Sequence, residues 1–155
     1  MVNGEVIAFG GGRFQGVLSD RLMPGETANL SVTVPEGEIT ATLTVPSAAT
    51  ISSPLEGAVL AAGSATIDWT IAANPSGFRG GVSLDPYDSS FAPSFNVLGS
   101  ERTTTIAAIP AGKSASAYVT AYNKTEVFTG PIALGSVATA EYSEPASSIR
   151  FTTAP

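Results

Sequence analysis

Cysteine and histidine are both missing from this chain of 155 residues, and each absence excludes whole classes of chemistry. Without histidine there is no Ser-His-Asp triad, no Cys-His pair and no imidazole general base. Without either residue, the usual zinc sites, disulfide scaffolds, iron–sulfur clusters and thiol redox reactions are excluded as well. The composition therefore favours a non-enzymatic protein that holds no metal and no organic cofactor.

Charge and long apolar runs are also scarce. The 7 Lys and Arg residues are outnumbered by 13 Asp and Glu, which gives a formal net charge of -6. Such a chain lacks the basic surface that binds a phosphate backbone, so we expect no nucleic-acid partner. No apolar stretch approaches the roughly 20 residues of a membrane-spanning helix, so we expect a protein that is not transmembrane.

The apolar residues that are present alternate with polar ones. With 16 glycines and 11 prolines, no segment keeps the periodicity of a helix, whereas alternation with a period of two marks 30–34 and 39–45. These two runs are joined through Pro35–Glu38, which predicts a hairpin. Further short runs lie at 65–71, 81–84, 95–98, 103–109, 115–123, 137–142 and 148–152. The spacing predicts an all-β protein, an antiparallel sandwich or barrel.

A seam at 46–49 divides this pattern. We expect an N-terminal β segment over residues 1–47 and a sandwich over residues 48–155. The first segment has too few strands to be stable alone, so it either packs on the sandwich or is the remnant of a preceding domain. In the first case, Tyr118 and Tyr122 provide the apolar floor, because both lie opposite the small residues of their strand.

Four stretches carry a resemblance to a known family. They are Ile51–Gly57, Ser64–Thr70 with its tryptophan, Ala117–Asn123 and Glu144–Thr153. In this order they resemble the strands of fibronectin type III and related immunoglobulin-like modules of bacterial secreted or surface proteins. The resemblance covers residues from about 50 to 155 and implies an antiparallel immunoglobulin/fibronectin-III-like sandwich with an extra N-terminal β-hairpin segment. One departure is the stretch 127–143, which is longer than the final hairpin of that family.

Aromatic residues provide the candidate binding site. Phe78, Tyr87 and Phe91 lie, together with Phe95, in a stretch rich in Gly, Pro and Ser. Aromatic rings on loops stack on sugars or anchor protein partners, so we expect a protein or glycan ligand here. The alternative is that Phe95 and one or two of the others close the ends of the sandwich.

Carboxylates are the remaining candidates for chemistry. Asp85 and Asp88 share a segment, but calcium needs about 6–8 oxygen ligands and the ordered acidic series of a calcium loop is absent. Side chains that cap a proline-containing turn are the better interpretation. Because no carboxylate pair stands in a recognisable setting, we predict no catalytic residue and no metal site.

The function that these observations favour is a non-enzymatic extracellular or cell-envelope module, as in a surface lipoprotein, that serves adhesion, ligand binding or structural spacing. The alternative is a self-assembling subunit of a surface layer, fibre or virion, suggested by the low charge and the strands rich in Thr and Ser. A glycoside hydrolase that uses two carboxylates is a remote third. The oligomeric state stays open.

Overall fold

The fold is known from a computed structural model, which describes residues 8–10, 13–15, 22–132 and 139–155. These residues form no helix and thirteen strands, so the all-β prediction is confirmed. The strands are β1 (Ala8–Gly10), β2 (Arg13–Gln15), β3 (Thr27–Val34), β4 (Gly37–Thr44), β5 (Thr50–Ser53), β6 (Ala58–Leu60), β7 (Gly63–Thr70), β8 (Gly77–Asp85), β9 (Ser94–Leu98), β10 (Thr103–Ile109), β11 (Ser114–Thr125), β12 (Ala140–Ser143) and β13 (Ser147–Thr153).

The chain forms two compact units. The first consists of the chain up to Val45 together with Asn123–Tyr142, and the second consists of Pro46–Tyr122 together with Ser143–Pro155. The division into domains 1–47 and 48–155 stays a prediction, as does the packing of the N-terminal segment on two tyrosines. The first N-terminal segment of the compact units ends at Val45, two residues before the predicted boundary at 47, and the first unit also includes Asn123–Tyr142.

The first unit contains the predicted hairpin, β3 and β4, which pair in antiparallel register from Thr27 with Thr44 to Val34 with Gly37. Its turn is shorter than the predicted connection, because Gly37 and Glu38 already belong to β4. The small core of this unit consists of Ala28, Leu43 and Ala140, with Leu22, Leu30, Phe128 and Tyr142 partly buried against it.

The long stretch after β11 belongs to this first unit. Thr129 and Thr40 exchange two backbone hydrogen bonds of 2.9 and 2.8 Å, and Phe128 packs beside the hairpin core. The stretch 127–143 is longer than the final hairpin of the fibronectin pattern because its described residues also pack against the apolar face of the β3–β4 hairpin.

The second unit is a sandwich of two sheets. One sheet has the order β10-β7-β5, and the other has the order β6-β13-β11-β8-β9. All neighbours are antiparallel except β6 and β13. This arrangement of a three-stranded sheet against a larger one is that of a fibronectin type III-like sandwich, which confirms the predicted fold.

The two sheets share one core centred on Trp69, which lies on β7 as the resemblance implied. The Trp69 ring lies 5.3 Å from the ring of Phe78 and 5.6 Å from the ring of Phe95, measured between centroids. Ile67, Val82, Val119 and Phe151 are among the other buried members. Burial of aromatic and branched side chains from both sheets is what holds such a sandwich together.

Candidate functional site: the outer sheet face and the β8–β9 loop

Glycines on β8 allow two tyrosines to lie flat on the outer face of the larger sheet. The register of β8 and β11 sets Gly81 opposite Tyr118 and Gly77 opposite Tyr122. A Cβ atom at Gly81 would stand 3.1 Å from the Tyr118 hydroxyl, and one at Gly77 would stand 2.6 Å from Cζ of Tyr122. The tyrosine rings therefore occupy the space above the two glycines, a cross-strand arrangement that covers exposed glycine backbone.

Polar and apolar groups from the neighbouring strands complete this surface. The Arg79 guanidinium lies 4.6 Å from the centre of the Tyr122 ring, and the Tyr122 hydroxyl donates a 2.9 Å hydrogen bond to Oδ1 of Asn96. Tyr118 is 37% exposed and Leu98 is 70% exposed. We call Arg79, Asn96, Leu98, Tyr118 and Tyr122 the aromatic face.

The chemistry of the aromatic face is that of a binding surface. Tyr122 is held from both sides, by a cation–π contact and a hydrogen bond, so its ring gives the face a fixed base. Tyr118 keeps an exposed ring whose orientation is set by Gly81 beneath it. A rigid aromatic ring beside an arginine is the combination that most often supplies binding energy at protein interfaces.

The loop between β8 and β9, Pro86–Pro93, carries an ordered turn. Oδ1 of Asp88 accepts hydrogen bonds from the backbone N–H and the hydroxyl of Ser90, at 2.9 and 2.6 Å. The carbonyl of Asp88 accepts a further bond of 3.0 Å from the N–H of Phe91. Asp88 thus caps a turn, as the sequence indicated, and this turn holds the loop in place.

The same hydrogen bonds set the electrostatics of the loop. The Ser90 hydroxyl and then the Ser90 N–H lower the pKa of Asp88 below its usual value; desolvation opposes them, and the charge of Lys113 adds the weakest favourable effect. Each of these groups stabilises the ionised carboxylate. The loop therefore carries a negative charge next to its aromatic residues.

The three aromatic residues predicted as ligand contacts have different surroundings. Tyr87 is 70% exposed on the β8–β9 loop, and Phe91, on the same loop, is half-buried against the core. Phe78 is completely buried between the sheets, where it contacts Trp69. The structure thus brings Tyr87 and Phe91 together in one loop and places Phe78 in the core. The ligand contacts of Tyr87 and Phe91 stay a prediction.

The position of Phe78 follows from the length of β8. The sequence indicated a strand beginning at Gly81, whereas β8 begins at Gly77 and includes Phe78. Three glycines in this segment weaken its strand signal, since glycine is depleted in strands in general. Here they are required by the tyrosine rings and by close backbone contacts, and the strand alternation then turns Phe78 inward.

The loop and the aromatic face meet at Pro93. The carbonyl of Pro93 accepts a 3.0 Å hydrogen bond from the N–H of Val82, and it would lie 2.5 Å from a Cβ atom at Gly81. Since Tyr118 lies over the same glycine, its hydroxyl is close to the point where the loop re-enters the sheet. Tyr87 lies near the opposite end of the same loop, after the last residue of β8.

Sequence reasoning missed three members of the aromatic face, Arg79, Asn96 and Leu98. Each alternates with an inward residue of β8 or β9, so the two-residue period contained the signal. That signal was hidden because the glycines of β8 and the polar residues of β9 do not form a contrasting pattern.

The part of the chain that the structure describes has neither a cluster of metal ligands nor a membrane-spanning helix. There, no three Asp or Glu side chains come together in a way that would hold a metal ion. No helix long and apolar enough to cross a membrane occurs in the described ranges.

Comparison with known proteins yields similarity at the level of structure. No family model and no curated protein matches the chain. The FN1–FN3 domains of chicken CNTN1 match with 15% identity and a TM-score of 0.45 over 86% of this chain and 43% of theirs. The fn3 domain of the human collagen alpha-1(XX) chain matches with 11% identity and a TM-score of 0.39 over 73% of this chain and 85% of its own. A segment of two fibronectin type III domains from chicken tenascin matches with 18% identity and a TM-score of 0.39 over 75% and 63%.

Proposed function

We propose that this chain is a non-enzymatic binding module of an extracellular or cell-envelope protein, with its ligand site on the aromatic face and the β8–β9 loop. The ligand is a protein or a glycan. If the ligand is fixed to a surface, binding by this module results in adhesion to that surface. The proposal rests on the fibronectin type III-like sandwich together with the exposed tyrosines of the aromatic face and of the β8–β9 loop.

The observation that carries the proposal is the exposure of Tyr87, Tyr118 and Leu98 on ordered backbone. Tyr118 lies on a central strand of the larger sheet and Tyr87 on a loop held by an Asx turn. Rings that are already held in place lose little conformational freedom on binding, so more of their contact energy is available as affinity. Tyrosine also combines an apolar ring with a hydroxyl that can hydrogen-bond a sugar or a backbone carbonyl.

The ligand site carries charges of both signs, which favours a ligand with little net charge. Arg79 is the cation of the aromatic face, and the ionised Asp88 lies on the β8–β9 loop. A guanidinium presents N–H groups in a fixed planar arrangement that suits carboxylates and hydroxyl-rich sugars. Ligands with a strongly basic surface would gain nothing from this cation.

The test is binding to arrays of glycans and of immobilised extracellular proteins, followed by substitution of the site. Tyr87→Ala and Tyr118→Ala should each weaken binding of the array ligand at least about tenfold, as expected for exposed aromatic anchors. Leu55→Ala is the matched control, because Leu55 is 72% exposed outside this region. Its affinity should equal that of the wild type.

Two results would contradict this function. One is a ligand whose affinity is unchanged in both tyrosine variants, measured on protein whose melting temperature shows that it is folded. The other is reproducible turnover of any substrate that a single carboxylate substitution abolishes, since that result would establish a hydrolase.

A second candidate function, self-assembly, is supported by a different feature. β9 is the outermost strand of the larger sheet and its outward residues are exposed. Exposed strand edges are the surfaces through which sheets of separate molecules join.

A further inference from the structure

Among the residues that the structure describes, β9 is an edge strand of the larger sheet, and of its outward backbone groups only the Leu98 carbonyl is bonded, by the N–H of Glu101 at 3.0 Å. β9 pairs with β8 on one side, and it ends the strand order of that sheet. The bond from Val82 N–H to Pro93 O marks a hydrogen-bonded pair. Because such pairs alternate in an antiparallel ladder, residues 95 and 97 point their backbone groups toward β8, and residues 94, 96 and 98 point theirs away. Side chains at all three outward positions are exposed.

The other edge strands of the sandwich, β10, β5 and β6, have features that hinder pairing with a further strand. The register of β10 shifts between Ala107 and Ile109, and Ala108 has a positive φ of 60°. The register of β5 shifts between Ile51 and Ser53, and β6 has only 3 residues. Bulges and short strands are the usual protection of a sheet edge.

β9 lacks such protection. Its register with β8 shows no shift over Ser94–Leu98, and no proline interrupts it. No Asp, Glu, Lys or Arg occurs from Ser89 to Ser100, although the whole chain has a formal net charge of -6. An edge without charge, bulge or internal proline is a template for another strand.

We propose that β9 pairs with β9 of a second copy of this chain, antiparallel and about a twofold axis at Asn96. In this register Asn96 faces Asn96 of the partner copy, and Ser94 faces Leu98 of the partner copy. The two Asn96 residues then exchange two backbone hydrogen bonds, and the Ser94 N–H of each copy shares the Leu98 carbonyl of the other with the N–H of Glu101. The contact is isologous, so it closes as a dimer. This inference goes beyond the ligand site proposed above, and it gives the self-assembly candidate a defined surface.

The side chains of β9 favour a second copy over an unrelated strand. Phe95 and Val97 are only partly buried, and both pack against the core from the sheet edge. In the proposed register Phe95 of each copy faces Val97 of the other, an aromatic–β-branched pair of the kind that stabilises antiparallel sheets. On the opposite side of the sheet, the exposed Leu98 gains the partner's backbone and Ser94 as neighbours.

Charge makes a further distinction. Two copies with a net charge of -6 each repel one another, while the paired strands themselves contain no charged residue. Added salt screens the repulsion and leaves the strand contact unaffected. The dimer is therefore expected to strengthen as ionic strength rises, whereas a contact built on ion pairs would weaken.

The test uses the absence of cysteine. Asn96→Cys introduces one thiol per chain, and the two thiols face each other across the axis. Their Cα atoms are then separated by about 5.5 Å, within the range of about 4.4–6.8 Å that a disulfide spans. Under mild oxidation this variant should run on a non-reducing gel as a covalent dimer of twice 15.6 kDa.

Two controls fix the register. Ser94→Cys alone should give little dimer, because its counterpart lies four residues away, roughly 13 Å at a rise of about 3.3 Å per residue. Leu98→Cys alone should behave in the same way. A mixture of the two variants should produce the heterodimer, since these positions face each other in the proposed register.

The uncrosslinked equilibrium is measured by sedimentation at several concentrations and salt levels. Wild-type mass should rise from 15.6 kDa toward twice that value as concentration increases. Asn96→Pro should stay monomeric, because it removes an outward N–H and no bond to β8. Thr103→Pro, at an outward position of β10, is the matched control and should dimerise as the wild type does; melting temperatures establish that both variants fold.

The proposal is overturned if the wild type is a monomer at every concentration, if Ser94→Cys crosslinks as readily as Asn96→Cys, or if Asn96→Pro still dimerises. None of these results decides whether the ligand site exists, because that site is tested through Tyr87 and Tyr118, although Asn96 and Leu98 belong to both surfaces. Conversely, loss of ligand binding in the tyrosine variants has no bearing on the crosslinking pattern.

Discussion

At the scale of single residues, Asp88 shows how one carboxylate organises a loop. Its side chain accepts two hydrogen bonds from Ser90, and its backbone carbonyl accepts one from Phe91. These bonds hold the segment that presents Tyr87 to solvent. The ionised form is favoured, since its pKa is lowered first by the Ser90 hydroxyl and then by the Ser90 N–H.

The charge of Asp88 makes the order of this loop dependent on pH. A carboxyl group whose pKa is lower in the folded state stabilises that state above its unfolded pKa, and this contribution is lost as the pH falls through the folded value. In an NMR titration, the Asp88 carboxyl should therefore have a midpoint below that of an ordinary aspartate. Ser90→Ala should raise this midpoint, because it removes the largest of the favourable contacts.

Ser89→Ala is the control for that titration, since Ser89 is exposed on the same loop and neither bond to the Asp88 side chain comes from it. The midpoint of Asp88 should be the same in this variant as in the wild type. An unchanged midpoint in Ser90→Ala would show that the Ser90 hydroxyl does not bind the Asp88 carboxylate in solution.

At the scale of strands, the pairing of β8 with β11 depends on glycine. Gly77 and Gly81 lie opposite tyrosines, and the rings occupy the volume that side chains on β8 would fill. Neither Gly77 nor Gly81 has a positive φ. Their requirement is one of space, which a single added methyl group is enough to probe.

Gly81→Ala should destabilise the protein by about 1–3 kcal/mol, the usual cost of overpacking a closed site. The added Cβ would stand 2.5 Å from the backbone oxygen of Pro93, so the loop must shift to accommodate it. Urea unfolding measures the difference. Ser83→Ala, two residues along the same face of β8, is the control and should change the free energy of unfolding by less than about 0.5 kcal/mol.

If Gly81→Ala is as stable as the wild type, the Pro93 carbonyl and the Tyr118 ring do not crowd Gly81 as described. The same variant should also weaken ligand binding, because displacement of the ring alters the aromatic face. Stability and affinity are therefore expected to fall together at this position, in contrast to Tyr87→Ala, where affinity alone should fall.

At the scale of the whole molecule, the chain forms two hydrophobic cores, and each of the two units consists of two separate segments of the sequence. The larger core includes Ile67 and Trp69, and the smaller one includes Ala28 and Leu43. The first unit takes one of its parts from beyond β11, so its core joins residues that are far apart in sequence. Contacts of that kind carry a large entropic cost of loop closure, which the burial of apolar side chains must offset.

The two cores predict a local pattern of amide protection. Leu43→Ala should cost about 2–5 kcal/mol, the range for truncating a buried leucine, and should raise hydrogen exchange most strongly in β3 and β4. Ile67→Ala, the matched variant in the other core, should raise exchange most strongly in β7 and β10. Equal increases at all strands in both variants would show that the two cores unfold as one.

A good part of this fold could be predicted from local sequence. Alternation with a period of two identified the hairpin of β3 and β4, with Leu30 and Ala41 on its inner face. It also identified β7 and the inward position of Trp69. Such predictions succeed because a strand with one buried face has apolar residues at every second position, a pattern that is visible in a short stretch of sequence.

The candidate site was predicted less completely. Tyr87 and its exposed loop were identified from composition, and the capping role of Asp88 from the preference of aspartate for turns. Phe78 was taken with them because it shares the same stretch rich in Gly and Pro. Its burial depends on β8 extending back to Gly77, and that extension depends on tyrosines more than thirty residues away.

What the sequence by itself determined is the class of protein: all-β, without cysteine or histidine chemistry, with a core supplied by alternating strands. Tertiary structure decided which rings are buried, which lie exposed beside Arg79, and that β9 forms an open edge. It also decided that the segment after β11 completes the hairpin core. The physical reason is that composition and alternation are local properties, whereas register, edges and shared surfaces arise only when distant strands are set side by side.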